Sequence, residues 1–383
     1  MLVGTRRRMA GLAIAATVAL QAGGCAGSTP PVSIASASAG PSGPPASRRP
    51  NDIPQPPGGP VTLNGAGATL PAPLYQVWFD RFAATYTNVS IAFDPSGSAI
   101  GIAAAGGGRL AFGATDAAMT DAELAAAPAR IIHVPTALGA VSVVVNLPGV
   151  SAIQLDGATL AGIFLGRIVN WNDQAIASLN AGVTLPDLPI AVMHRSDASG
   201  ATAAFTTYLD GASPDWHAGP GIGGVVAWPA GTGAAGDDGV AAAVKTTSGG
   251  IGYAGSAFAS KAGLRTAKLR NAAGNFVRAT SLGIGAAGET VVAGLAPDLR
   301  QGPVVAAAGV NAYPIVVPAY VLVQADQADR AVGEALIAFL GWALTSGQAD
   351  AAQAGFAALP GGIQAKALAA LHGITSGGTP IWP

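Results

Sequence analysis

The sequence predicts an α/β fold with largely parallel strand pairing, on three observations. From Val61 onward, short β-rich runs alternate with segments of helical periodicity. The runs at 131–134, 141–145 and 313–323 are β-rich and mostly apolar, the last reading YPIVVPAYVLV, as strands buried on both faces are. Glycine-rich connections separate the elements, and no internal repeat or heptad stretch competes with this reading.

In chain order, 61–63 is a short strand leading into a glycine loop. Leu74, Val77, Trp78 and Phe82 stand at i, i+3, i+4 and i+8, which predicts one buried helix face. Residues 89–93 read as strand, and 99–106 as helix after a Ser-Gly-Ser loop. A short strand at 110–113 and a helix at 121–127 precede the two apolar β runs. Residues 158–164 and 173–179 are helical, 190–194 strand and 202–209 helical. Residues 219–239 form surface loops. Within them the pair Asp237-Asp238 is read as capping a helix at 239–244, with cation binding as the alternative. A strand at 251–254 follows. The helix at 331–345 gathers Leu336, Phe339, Leu340 and Ala343 on one face.

Composition bounds the function. Half of the 383 residues are hydrophobic and 10% are charged, which allows a sizeable core. The net charge of −1 gives no broad basic field, so nucleic acid is not expected as a partner. Any bound anion must be held by local groups. His133, His194, His217 and His372 show no ligand spacing, so neither a metal nor another cofactor is expected. The single cysteine excludes an intramolecular disulfide.

Arg6, Arg7 and Arg8, the apolar run 9–20, and the small residues Ala22, Gly23 and Gly24 have the layout of an export signal over 1–24. The Cys25 that follows resembles the lipidated cysteine of a bacterial lipoprotein, with Ala22 where such sites usually carry Leu. A plain secretory signal with an incidental cysteine is the alternative. Residues 25–60 then form a lipidated N-terminus and a Pro/Ser-rich disordered tether.

Three loop-to-helix junctions carry candidate chemistry: GAGATLP around Thr69, PSGSA around Ser98, and HRSDASG with Arg195, Asp197, Ser199 and Gly200. Each offers backbone N–H groups and a helix N-terminus to an anion, and each supplies a hydroxyl. Alone, any one of them reads as an ordinary helix cap, and Ser98 suits the N-cap position. Together with one arginine, whose planar fork matches a tetrahedral oxyanion, they point to one small oxyanion. Asp197 stands two residues from Arg195, in place to orient that fork. A carboxylate at Asp116 belongs in such a site only if the ligand brings a proton; otherwise Thr115 and Asp116 cap the next helix.

GAGATLPAPLY, PSGSAIGI, FGATDAAMT, HRSDASGAT and GGIGYA occur in this order, with NLPGV, WNDQAIASLNAGVTLP and FTTYL between them. This chain-long series resembles the substrate-binding proteins of the bacterial phosphate-specific ABC importer. The resemblance implies a two-lobed periplasmic-binding-protein fold of type II, its ligand cleft lying between lobes joined by crossover strands. Lobe I would comprise 61–137 and 314–383, and lobe II 138–313. It implies phosphate contacts from Thr69, Leu70, Ser98, Asp116, Arg195, Ser199, Gly200 and Ala201, with Asp197 supporting Arg195. Ala201 stands where the family commonly has Thr, so a backbone contact is expected there without a hydroxyl. It further implies a monomer, not an enzyme, that captures inorganic phosphate and delivers it to the permease subunits. The site would be extracytoplasmic, periplasmic or at the outer face of the cell membrane, with the protein tethered by its lipid. A secreted phosphatase or phosphotransferase using Arg195 and Ser199, or a binding protein for another oxyanion, is the rival expectation.

Overall fold

The computed structural model describes residues 53–383. The expected signal segment, Cys25 and the tether up to residue 52 lie outside the described residues. Residues 53–60, read from composition as the end of that tether, contact the fold. Ile53 packs against the Gly341 backbone, and the Asn88 amide donates to the carbonyls of Pro57 (2.6 Å) and Gly59 (2.9 Å).

The described residues build an α/β fold around a curled sheet. Strand β1 (Val61–Gly67) lies between β2 (Val89–Asp94) and β3 (Phe112–Thr115), parallel to both. At the other flank, Ala191–Arg195 runs parallel to Thr232–Ala234 and to Gly250–Gly255. Two long strands fill the centre: β4 (Ile131–Asn146) and the return strand Ile315–Gln324. They are antiparallel to one another and to their outer neighbours, β3 and Gly250–Gly255. The sheet is therefore mixed, which corrects the expectation of largely parallel pairing. The physical reason is that the chain crosses between the flanks along β4 and comes back along the return strand, in the opposite direction.

The two apolar runs at 131–134 and 141–145 are one strand. Pro135 interrupts the sequence signal, yet the ladder continues through a bulge. Ala319 pairs with Ala137 and Tyr320 with Pro135, leaving Thr136 out of register. The Thr136 hydroxyl is held instead by the Tyr75 hydroxyl (2.7 Å) and the Ala319 carbonyl (3.1 Å). Gly139 allows the close approach of Leu70, whose Cδ2 would stand 2.6 Å from a Cβ placed there.

Helix α1 (Ala72–Thr85) turns Leu74, Tyr75, Trp78, Phe79 and Phe82 into the core. Val77, expected on that face, is 38% exposed. At about 100° per residue the buried stripe centres between Leu74 and Tyr75, and Val77 falls roughly 130° away. The later helix Arg330–Leu344 buries Leu336, Phe339, Leu340 and Ala343, the face expected from the sequence. Both flanks share one continuous hydrophobic cluster, which runs from Leu63 through Val143 and Tyr253 to Trp382.

Candidate functional site

The site forms where strand ends from both flanks meet. At the end of β1, Gly67 has φ +148, and a Cβ there would lie 2.0 Å from the Ala114 carbonyl oxygen. The glycine lets residues 68–70 cross the end of β3, where the Ala68 N–H donates to the Ala114 carbonyl at 2.9 Å. Thr69 and Leu70 are delivered there, with Leu70 buried beneath.

Gly97, with φ +114, is the N-cap of helix α2 (Ser98–Gly107). Ser98 is thus the first residue inside the helix, not its cap. Its hydroxyl donates to Asp116 Oδ1, so the side chain faces the cleft. Asp116 follows β3 and is buried. The cap of the next helix is Thr120, which forms a capping box with Glu123. That removes the helix-cap reading of Asp116. Its Oδ1 also accepts from the Gly200 N–H at 2.9 Å, across the cleft. A Cβ on Gly200 would stand 2.1 Å from that oxygen, so this approach requires glycine.

From the opposite flank, Arg195 ends its strand and is buried. Its Nε donates to Asp197 Oδ1 (2.8 Å) and its Nη2 to Asp197 Oδ2. Ser199 caps the helix Gly200–Ala212, accepting from the Thr202 N–H, and Ala201 is fully buried behind it. The Thr202 hydroxyl pairs with the Tyr253 hydroxyl at 2.8 Å.

One residue of the cleft escaped the sequence reading. Asp237 is fully buried. Its Oδ2 accepts from Arg195 Nη1 (2.7 Å) and from the Thr69 hydroxyl (2.7 Å), and its Oδ1 from the Gly255 N–H (2.7 Å). The helix expected at 239–244 begins earlier, at Gly236, so the acidic pair sits inside its first turn. Neighbouring residues on a helix point about 100° apart, and here Asp237 turns inward while Asp238 is exposed. The doublet was the available signal, and the later helix start hid it.

Burial pushes the Asp116 carboxyl above the ordinary range. The Ser98 hydrogen bond opposes this, the Asp237 charge adds to it, and the Arg195 charge and Gly200 N–H oppose it. Burial would raise Asp197 too, but the hydrogen bonds from Arg195 and Gly236 hold it below the usual carboxylate value. Arg195 is raised: burial works against its charge, and Asp197 and Asp237 outweigh the burial.

A guanidinium carries five N–H donors. Asp197 takes two and Asp237 one, which leaves one on each terminal nitrogen. That pair is a fork for two oxygens of a tetrahedral anion. The first turns of α1, α2 and Gly200–Ala212 add N–H groups that no helix carbonyl can satisfy. A cavity of about 260 Å³ opens on the outer side of Thr69, lined by Pro95, Asp238, Phe258 and Lys261. Among the described residues, no cluster of three or more His, Cys, Asp or Glu side chains is placed to hold a metal ion.

Residues 54–346 match the model of the PBP superfamily domain. The chain is 35% identical over 302 residues to a phosphate-binding protein PstS of Xylella fastidiosa, covering 78% of this chain and 82% of the relative. It is 35% identical over 327 residues to phosphate-binding protein PstS 3 of Mycobacterium leprae, covering 83% and 88%. The crystal structure of a phosphate-binding protein from Stenotrophomonas maltophilia superposes with a TM-score of 0.61 at 21% identity, covering 81% of this chain and 93% of that one. The last likeness speaks for the two-lobed fold.

Proposed function

This chain belongs to the family of PstS-type phosphate-binding proteins, and we propose that it holds inorganic phosphate in the cleft between β3 and the strand Ala191–Arg195. It is an extracytoplasmic solute-binding protein of a phosphate ABC transporter and not an enzyme. Among the described residues no helix is long and apolar enough to cross a membrane.

The observation that carries the reading is the convergence on one buried spot of Thr69, Ser98 and Asp116 from one flank with Arg195 and Gly200 from the other. Arg195 gives its two remaining N–H donors to two phosphate oxygens. Thr69, Leu70, Ser98, Ser199, Gly200 and Ala201 supply hydroxyl and backbone donors, and Asp197 keeps the fork in plane. Asp116 accepts the ligand's own proton. Phosphate carries that proton near neutral pH and sulfate does not, which gives the cleft its preference. Residues 61–137 with 314–383 form one lobe and 138–313 the other, and phosphate closes them by contacting both. The loaded monomer then docks on the permease subunits, tethered to the membrane through a lipid on Cys25.

A calorimetric titration with inorganic phosphate, run beside a hydrolysis assay on a phosphate monoester, tests this reading. Saturable binding of one phosphate without turnover is expected. Turnover of the ester, or no heat with phosphate, would overturn it.

A further inference from the structure

Asp237 lies in the cleft, and the phosphate-binding reading gives it no task. Its Oδ2 faces Thr69 and Arg195 and already accepts two hydrogen bonds. An anion held by Arg195 therefore meets the charge of Asp237 rather than a further acceptor. Arg195 is hydrogen-bonded by two carboxylates, Asp197 from the following loop and Asp237 from the helix Gly236–Thr246, and lies within reach of the charge of a third, Asp116 from the end of β3. Asp197 is 31% exposed and screened by water, whereas Asp237 is fully buried and is not. From Gly250–Gly255, the Tyr253 hydroxyl contacts the Arg195 N–H and Thr202. Lys261 and Asp238 line the cavity outside Thr69.

These charges bear differently on the two forms of phosphate near neutral pH. Asp116 asks for one ligand proton, and both the singly and the doubly charged anion have it. A second buried carboxylate beside the same arginine penalises the extra ligand charge, because charges in a water-poor site interact strongly. We propose that Asp237 is a specificity-determining residue that biases the cleft toward the singly charged, doubly protonated form of phosphate. The inference rests on the phosphate-binding reading above. Asp237 also fixes Arg195 Nη1 and the Thr69 hydroxyl, so charge selection and orientation come from one side chain.

The test is phosphate affinity by calorimetry from about pH 6.5 to about pH 8.5 in the unmodified protein, Asp237→Asn and Asp197→Asn. If one ligand proton is taken up on binding, affinity in the unmodified protein falls by about tenfold per pH unit above the ligand's second ionisation. Asp237→Asn, which keeps the size and one acceptor oxygen, flattens this to about threefold or less per unit. Asp197→Asn weakens binding at every pH and keeps the unmodified slope. Parallel slopes for the unmodified protein and Asp237→Asn overturn the inference alone. A flat profile in the unmodified protein overturns it whether or not the variant folds. Absence of phosphate binding at every pH overturns the functional reading, and the inference with it.

Discussion

Replacing Arg195 with Leu separates the stability of the cleft from its binding. The Arg195 side chain is 1% exposed and shared between Asp197 and Asp237. Its removal leaves Asp237 fully buried, with only the Thr69 hydroxyl and the Gly255 N–H as donors. Breaking a buried ion pair from one side costs about 3–5 kcal/mol, because the remaining charge is uncompensated. Replacing both partners avoids that penalty, so Arg195→Leu/Asp237→Asn is expected to recover to within about 1–2 kcal/mol of the unmodified protein. Binding behaves differently. Two charge-assisted hydrogen bonds to the anion, at about 1.5–3 kcal/mol each, amount to roughly 3–6 kcal/mol, or about 10²–10⁴-fold in affinity. The double variant does not restore them. Urea unfolding of the single and double variants without phosphate, followed by calorimetry with it, measures both quantities. A double variant no more stable than Arg195→Leu would refute the buried-pair argument. Near-unmodified affinity in either would remove Arg195 from the site.

Four further expectations can be checked directly. Excess sulfate is not expected to displace phosphate at neutral pH, but it should compete better as pH falls. Asp116 is held above the ordinary carboxyl range by burial, so its neutral, donating form appears earlier than usual; displacement at neutral pH would place Asp116 outside the ligand contacts. His133 is lowered to about 4, chiefly by burial and then by the Arg300 charge. Stability from neutral His133 is therefore full above about pH 6.5 and falls by about 3 kcal/mol as pH drops towards 4. Denaturant titrations of His133→Gln should lack that component. Gly101→Ala would place a Cβ 1.9 Å from the Ala114 carbonyl oxygen and lift α2 from β3. It should cost about 2–3 kcal/mol in thermal or urea unfolding and weaken phosphate binding through Ser98. Cys25→Ala should move the mature protein from the membrane to the soluble fraction on cell fractionation; unchanged membrane association would rule out a lipid at that residue.

What could be read from the sequence followed the strength of local signals. The helices around Trp78 and Phe339 carry stripes of large apolar side chains, and both were visible. The strand halves of β4 were visible, but Pro135 hid their continuity, because a bulge is a property of the partner strand as much as of the chain itself. The mixed pairing was not legible either, since strand direction depends on where the return strand docks. At the site, loops with a hydroxyl before a helix were easy to find, but their geometry was not. Ser98 lies one residue inside its helix, so its hydroxyl serves Asp116 instead of the helix end. Asp237 looked like a capping residue. Only the approach of Arg195, 42 residues earlier, and of Thr69, 168 residues earlier, gives it a place in the cleft.

The pairing of β4 with the return strand also determines when in its synthesis this protein can fold. Strands β1, β2 and β3 emerge early from the ribosome, yet β3 gains its inner neighbour only when residues 315–324 have been made. The Thr136 hydroxyl meets the Ala319 carbonyl across 183 residues of chain. Contacts of such separation form slowly, because the loop they close must be gathered before they repay its entropy. An N-terminal fragment has no finished core to collapse onto. The sheet is therefore completed only after most of the chain has been translated, which delays folding of the emerging protein.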